Sequence, residues 1–510
     1  MENPGYLIHA FAFFAFLLLS AFLLLGSGRG RRLRFPPGPR GLPFVGHLHL
    51  LGLNPHRSLC DLSKRHGSLM FLRFGSVPVV VASSPAIARL ILQAHDQIFA
   101  WRPQPAVPML LLGCKDILYS QPGPYWKLVR QLCASDLFGS KRLQAFRPLI
   151  AEEIHGLLRA ISDSAQQESP VPVRAMLYAA SANIISRMAL GKPLQELSPR
   201  SQAGDTPSCS LVALIVEAIE LAGVFNPGDF IPWLAWMDLQ GCVQRSKSLK
   251  PKLDRVWQEI IDNRRSMRPK MSDGQPLDFL DVLLERADFH ITDSHIMAIL
   301  TDVFGAGIDT SSITVEWALC ELLANPLVMK KLQEEIIKVV GDSRLVCESD
   351  VQNLPYLRAT VKETMRLHPV VPLLVPHMAS QQCNILDFNI PLHTVAYINV
   401  WAIGRDPQTW DNALVFSPER FLDSNLDVRG KDFELLPFGS GRRACPGMAL
   451  GLHNVSIMLA SLLQAFNWTT MKKPNMSEKF GVVMTPEEPL VAKTILRIRR
   501  ELLEETIIGA

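Results

Sequence analysis

The sequence predicts a mainly α fold with small β-sheets set to one side, behind one N-terminal transmembrane helix. From about residue 47 onward no linker or repeat divides the chain, and helical hydrophobic patterns dominate. Two stretches, residues 69–82 and 370–400, are rich in strand formers instead. At 510 residues and 48% hydrophobic, the chain could form two or three average domains or one large one. The unbroken pattern favours one. The expected division is an anchor at 1–28, a basic and proline-rich hinge at 29–46, and one large domain at 47–510.

Residues 6–25 are interrupted only by His9 and Ser20, and as a helix they would cross about 30 Å of hydrocarbon. No positive charge precedes this run and no A-x-A site follows it, which weighs against a cleaved signal peptide. Arg29, Arg31, Arg32 and Arg34 should remain cytoplasmic, leaving the N-terminus in the lumen and the large domain in the cytosol. These four arginines against Glu2 supply three of the chain's four net positive charges. The rest is nearly neutral, which argues against nucleic acid as a partner. Nine cysteines with no C-x-x-C pair exclude a disulfide framework and a structural zinc site, and fit a reducing compartment.

The hinge, FPPGPRGLPFVG at 35–46, holds four prolines and three glycines and reads as a stiff turn. Next, LMFLRFGSVPVVVA at 69–82 predicts a hairpin turning at residues 75–78. Trp126 and Arg130 in PYWKLVRQL share one helical face by their i,i+4 spacing. Aromatic residues in FNPGDFIPWLAW at 225–236 lie between two helices and can dip into a bilayer. A long helix is expected over 292–323, ending at Asn325-Pro326. Its centre, Ala306-Gly307-Ile308-Asp309-Thr310, contains poor helix formers. Two readings stay open: a locally opened helix where Ala306 and Gly307 make room beside a metal while Asp309 and Thr310 position water, or a packing notch with Thr310 bonding its own helix. Glu363 and Arg366 in KETMRLHP also share a face, with Arg420 in SPERF as a third member; such buried charges mostly fix geometry.

The most informative stretch is FGSGRRACPG at 438–447. Cys445 stands in a glycine-rich, arginine-bearing loop just before an apolar helix. Backbone N–H groups there can hold a thiolate, and Gly439, Gly441 and Gly447 let the chain wrap a sulfur. Such a pattern arises by chance in about one chain in ten thousand of this length, which outweighs the reading of one more buried thiol.

This loop resembles the haem-binding signature of the cytochrome P450s, in which a cysteine thiolate is the proximal iron ligand. The resemblance covers residues 36 to about 498 and includes AGIDT, KETMR and W-x-x-x-R. It implies a P450 fold binding haem b, with Cys445 on the iron and Phe438 and Gly439 in the haem-binding loop. Arg443, Trp126, Arg130 and His377 would lie at the propionates. Ala306 would lie beside the iron, with Asp309 and Thr310 as the acid and alcohol that manage protons. Pocket walls would come from residues 105–119, the neighbourhood of Phe304, 370–374 and 482–484, all largely apolar, which implies a lipophilic substrate. No G-x-G-x-x-G fingerprint appears. Electrons would therefore come from an NADPH-dependent flavoprotein reductase, docked on Lys127, Lys141, Arg142 and Arg442.

AGIDTS, LPYLRATVKETMRLHP and INVWAIGRDP are similar to plant microsomal hydroxylases of specialised metabolism, which implies the endoplasmic reticulum membrane. FNPGDFIPWLAWMDLQG resembles flavonoid 3′-hydroxylases; LDVRGKDFELLPFGSGRRACPG resembles both these and terpenoid hydroxylases. The expected activity is NADPH- and O2-dependent hydroxylation of a flavonoid or phenylpropanoid, with a terpenoid hydroxylase or a haem-dependent binding or sensor protein as alternatives. Ile308 stands where the family often has a hydroxyl residue, Ala444 where it has a larger aliphatic, and Asp387 and His393 where it has turn glycines.

Overall fold

A computed structural model describes residues 34–197, 211–267, 277–286 and 291–504. The expected membrane helix at 6–25 and Arg29, Arg31 and Arg32 lie outside these residues.

The centre of the fold is the helix Asp293–Ala324. Thr292 caps its start through a capping box with His295, and Asn325 ends it because Pro326 opens the next helix, Pro326–Val340. Three helices pack along it: Val173–Leu190, Met448–Ala465 and Pro355–Leu367. Both Asp293–Ala324 and Met448–Ala465 are long and apolar enough to span a membrane, yet most of each is buried in the protein. They are apolar on all sides because the core surrounds them. This helical core runs from Val107 to Leu503 and contains the fully buried Trp257, Trp317 and Phe304.

The sheets lie to the side, as expected. Strands β1 (Leu69–Phe74) and β2 (Val77–Ala82) form an antiparallel hairpin. The turn is shorter than the sequence suggested: Pro78 already pairs with Arg73, which leaves Gly75 and Ser76 to reverse the chain. Gly75 takes φ +58, and a Cβ there would stand 2.2 Å from the Phe230 carbonyl oxygen. Three further strands are β3 (Val171–Pro172), β4 (His377–Met378) and the short β5 (Cys383–Ile385), which pairs with β6 (Phe388–Ile390). The strand β7 (Val395–Ile398) joins β2 in parallel and β4 in antiparallel register, giving the order β1-β2-β7-β4. Alternate β2 residues serve two cores: Val80 and Ala82 face one, Val79 and Val81 the other. Of the expected turn departures, His393 does adopt a left-handed φ of 61°, as does Leu386 beside Asp387.

The proline-rich segment is fastened to this sheet. Phe35 stacks on Phe71 at 5.0 Å, Phe71 N donates to Pro37 O at 2.9 Å, and a Cβ on Gly38 would collide with the Phe71 carbonyl. Gly75 N donates to Val45 O, while Ser76 N donates to Phe230 O, so the hairpin turn touches both the hinge and the aromatic segment.

Candidate functional site: a cysteine loop beside a buried cation cluster

The loop expected to bind a metal is shaped by its glycines. Gly439 and Gly441 take φ of +66 and +71, and a Cβ on Gly441 would lie 2.3 Å from Leu92 O. Cys445 N donates to Phe438 O at 2.9 Å, closing the loop, and Phe438 packs over Gly451 of the following helix. Burial pushes the Cys445 thiol up; the Gly447 N–H and the Arg130 charge pull it back. Deep as it lies, Cys445 keeps an accessible surface. It therefore faces space inside the fold.

Trp126, Arg130 and Arg443, far apart in sequence, converge here. The Arg443 guanidinium lies 4.3 Å from the Trp126 ring centroid and that of Arg130 5.7 Å. Arg102, which belongs to no motif, joins them. All three arginines donate to main-chain carbonyls: Arg443 to Ala100, Ile117 and Ser120, Arg130 to Ala444, and Arg102 to Val375 and Pro376. Among the described residues, none of the three reaches a carboxylate within ion-pair distance. Burial, then mutual repulsion, lowers Arg102 to about 9 and Arg443 to about 10. Two buried donors here, Trp126 Nε1 and Arg102 Nε, have no partner. Unneutralised cations and idle donors around an accessible thiol fit the carboxylate edge of a haem.

His377 lies at the same cluster, but as a neutral ring. Burial, reinforced by Arg102, holds its pKa well below the ordinary value, and its Nδ1 donates to Phe99 O at 2.8 Å. The expected basic contact is thus uncharged here; Nε2 would take a proton only beside an added negative charge.

Along Asp293–Ala324 most side chains are buried, but Asp302, Ala306 and Thr310, spaced i, i+4, i+8, keep accessible surface on one face. Asp302 feels Asp116 and is felt by Cys445, so this face and the cysteine loop are neighbours. The Asp302 Oδ2 accepts from Leu118 N at 3.1 Å. The 117–120 turn is thereby held from both sides, by Asp302 and by Arg443. Burial pushes Asp302 well above the usual carboxylate range and Asp116 up to about 6. The pocket wall is consequently less apolar than the sequence suggested.

Of the two readings left open for the centre of this helix, the packing notch with Thr310 bonding its own helix is the one that the structure matches. The backbone is helical without a break from 293 to 324, so it is not locally opened. A Cβ on Gly307 would stand 2.5 Å from Ile185 Cδ1, so Gly307 is a packing notch for a neighbouring helix while it too keeps some accessible surface. Thr310 Oγ1 donates to Ala306 O at 2.8 Å. Asp309 is buried with Oδ1 unpartnered, and the Tyr178 phenol lies beside it. Burial raises Asp309 to about 6 while Tyr178 lowers it. Phe304 is fully buried edge-on against Trp257 at 5.5 Å, so it belongs to the core rather than the accessible wall.

Glu363 and Arg366 form a bidentate pair, both bonds 2.7 Å, and Arg420 adds a third at 3.0 Å. Lys127, Lys141 and Arg442 are exposed and Arg142 is half-buried, but Arg442 is paired with Asp96 at 3.1 Å. Arg102, Tyr178 and Asp302 escaped the sequence reading because their partners are distant in sequence, whereas Asp116, which accepts from Tyr119 N three residues on, falls within the 105–119 stretch expected to line the pocket.

A helical domain that presents one accessible cysteine in a glycine-shaped loop beside unneutralised cations has the construction of a haem-thiolate protein. The family model described as Cytochrome P450 matches residues 36–493, and the chain belongs to that family. A flavonoid 3′-monooxygenase of Petunia hybrida is 40% identical over 496 residues, covering 94% of this chain and 95% of its own. Cytochrome P450 76C2 of Arabidopsis thaliana is 39% identical, covering 94% and 96%. A zebra fish cytochrome P450 structure with progesterone matches with a TM-score of 0.73 at 28% identity, over 87% of this chain and 100% of that one. The protein is an O2-dependent monooxygenase with haem b as its cofactor.

Proposed function

We propose that this enzyme hydroxylates a lipophilic plant specialised metabolite, a flavonoid or phenylpropanoid, drawing electrons from an NADPH-dependent flavoprotein reductase at the endoplasmic reticulum membrane. The observation that carries the site assignment is the accessible thiol of Cys445 beside three arginines that, among the described residues, have no carboxylate within ion-pair distance. The substrate class rests on the 40% identity to a flavonoid 3′-monooxygenase across nearly the full length.

Haem bound through Cys445 supplies the oxygen-activating chemistry. The residues of this chain bind, orient and handle protons. Arg443, Arg130, Arg102 and Trp126 would hold the propionates, with His377 at the same cluster. Phe438 and Gly439 shape the loop that carries the thiol, and Ala306, small and accessible, would leave room for the bound group. Asp309, with a pKa of about 6, can both hold and release a proton near neutrality, and Thr310 offers a hydroxyl on the accessible face.

Exposed aromatics support a membrane-facing orientation. Phe44, Trp233 and Trp236 are 63%, 61% and 82% exposed, and the hairpin turn brings their two segments together. The single-pass anchor with a cytosolic domain, membrane lipid contact and substrate entry from the bilayer belong to this reading, as does reductase docking on Lys127, Lys141 and Arg142.

The deciding experiment reconstitutes the membrane protein with a plant reductase and NADPH, offers flavonoids, phenylpropanoids and terpenoids, and follows oxygen-isotope incorporation by mass. A labelled hydroxyflavonoid is expected. A labelled terpenoid instead would keep the chemistry and overturn the substrate class.

A further inference from the structure

The acid of the long helix has a neighbour that no sequence motif announces. Asp309 lies in the seam between Asp293–Ala324 and Val173–Leu190, which is pinned at three points. Gly307 receives Ile185, Ser312 Oγ meets Ser181 Oγ at 2.9 Å, and Arg174 pairs with Glu316 at 2.7 Å. Tyr178 sits within this seam, half-buried, with its phenol beside the Asp309 carboxyl. The Asp309 Oδ1 has no partner although the side chain is buried. A buried carboxylate oxygen left idle is costly unless it has work to do.

We propose that Tyr178 is a positioning residue for Asp309: its O–H engages the carboxyl, fixing the side chain so that Oδ1 stays free to take and return a proton. This rests on the reading of Asp309 as a proton-handling group. The other charged group facing Asp309 is Glu220, from the helix Leu211–Gly223, which opposes its ionisation. Arg174 and Glu316 face Tyr178 from the same seam. Burial and the neighbouring acids disfavour the phenolate, so Tyr178 remains a donor throughout. Burial without the phenol would drive Asp309 further toward the neutral acid; the phenol sets it where loss and gain of a proton are nearly balanced.

The test is infrared titration of the holoenzyme, with the carboxylic-acid band of Asp309 assigned by its loss in Asp309→Asn. In Tyr178→Phe the band should persist to higher pH, its midpoint rising by roughly 0.5–1 pH unit for one lost hydrogen bond. Tyr178→Leu, which likewise cannot donate, should raise the midpoint in the same direction and serves if the Phe variant folds poorly. An unchanged midpoint in Tyr178→Phe overturns the pairing. Product formed per NADPH consumed, measured in the same variants, separates the two ideas. If Asp309→Asn stays fully coupled, the proton-handling reading of Asp309 falls. If Asp309→Asn uncouples while Tyr178→Phe shifts the band yet keeps wild-type coupling across pH, Asp309 keeps its role and Tyr178 loses its own.

Discussion

Arg366, buried in the last turn of the helix Pro355–Leu367, and Arg443, half-buried in the loop ahead of the helix Met448–Ala465, have opposite surroundings. Arg366 is 1% exposed and saturated: Glu363 takes two of its bonds, and Gly404, Ala413 and Val415 carbonyls take the others. Glu363 is equally complete, with Arg420 and Ser417 N on the same oxygen. Arg443 has carbonyls alone, and Arg102 and Arg130 crowd its charge. A charge network closed upon itself holds a fold together. A network in which the cations crowd one another, while the carboxyls that face them, Asp116 and Asp96, stay beyond ion-pair distance, awaits a ligand of negative charge.

The comparison breaks first at the closed network. Glu363→Ala should strand Arg366 and Arg420 without a counter-charge, at a cost of about 3–5 kcal/mol. Thermal unfolding should show it, and haem incorporation should fail with it. A variant that folds and loads haem normally would mean that this trio is not what locks the core.

A second closed network allows a pH test. Burial pushes the Glu478 carboxyl up, but hydrogen bonds from His56 and Trp401, the Arg405 charge and the Arg57 hydrogen bond outweigh it and hold the carboxyl at about 2. With a folded value below the unfolded 4.5, the carboxylate stabilises the native state above the unfolded value. That contribution disappears as pH falls from 4.5 toward 2. About 2.5 units correspond to ~3 kcal/mol. Glu478→Gln should therefore be less stable than the parent by that order at neutral pH, with the gap closing in acid, as denaturant midpoints would report.

The open network should behave differently. Arg130 contributes one hydrogen bond, to Ala444 O, and a charge that repels Arg443. Arg130→Met keeps the apolar stem, so folding stability should move by no more than about 1 kcal/mol. Haem retention should fall far more, by about 1.5–3 kcal/mol for a charge-assisted bond, or roughly 10- to 100-fold, measured as transfer of haem to an excess of scavenging globin. Destabilised folding with undiminished haem retention would place Arg130 among the structural charges.

How far the sequence revealed these networks follows from where their partners lie. Glu363 and Arg366, or Trp126 and Arg130, meet because one helix turn brings them together, and spacing alone shows that. Cys445 was legible because its glycines need conformations few residues accept, and Phe438 and Gly439 came with it. Arg102 and Asp302 act through contacts spanning 273 and 184 residues, to Val375 and to Leu118, which no local pattern encodes. Gly307 left two readings open for a related reason: a glycine in a helix signals close approach, but only the packed structure says that Ile185 makes it.

The smallest expected effect on stability bears most directly on chemistry. Thr310 Oγ1 donates to Ala306 O, four residues back on its own helix, a bond that stabilises helices little. Removing the hydroxyl in Thr310→Val should shift unfolding by no more than about 0.5 kcal/mol. If that local bond were the hydroxyl's whole purpose, catalysis would be equally indifferent. Thr310 also keeps accessible surface on the face shared with Ala306, so its hydroxyl can rotate from the carbonyl toward that space. A hydroxyl needed there for proton delivery should make Thr310→Val consume NADPH with much less product and more peroxide, at nearly unchanged stability. Full coupling in a stable variant would leave Thr310 as a helix residue and place the whole burden of proton handling on Asp309.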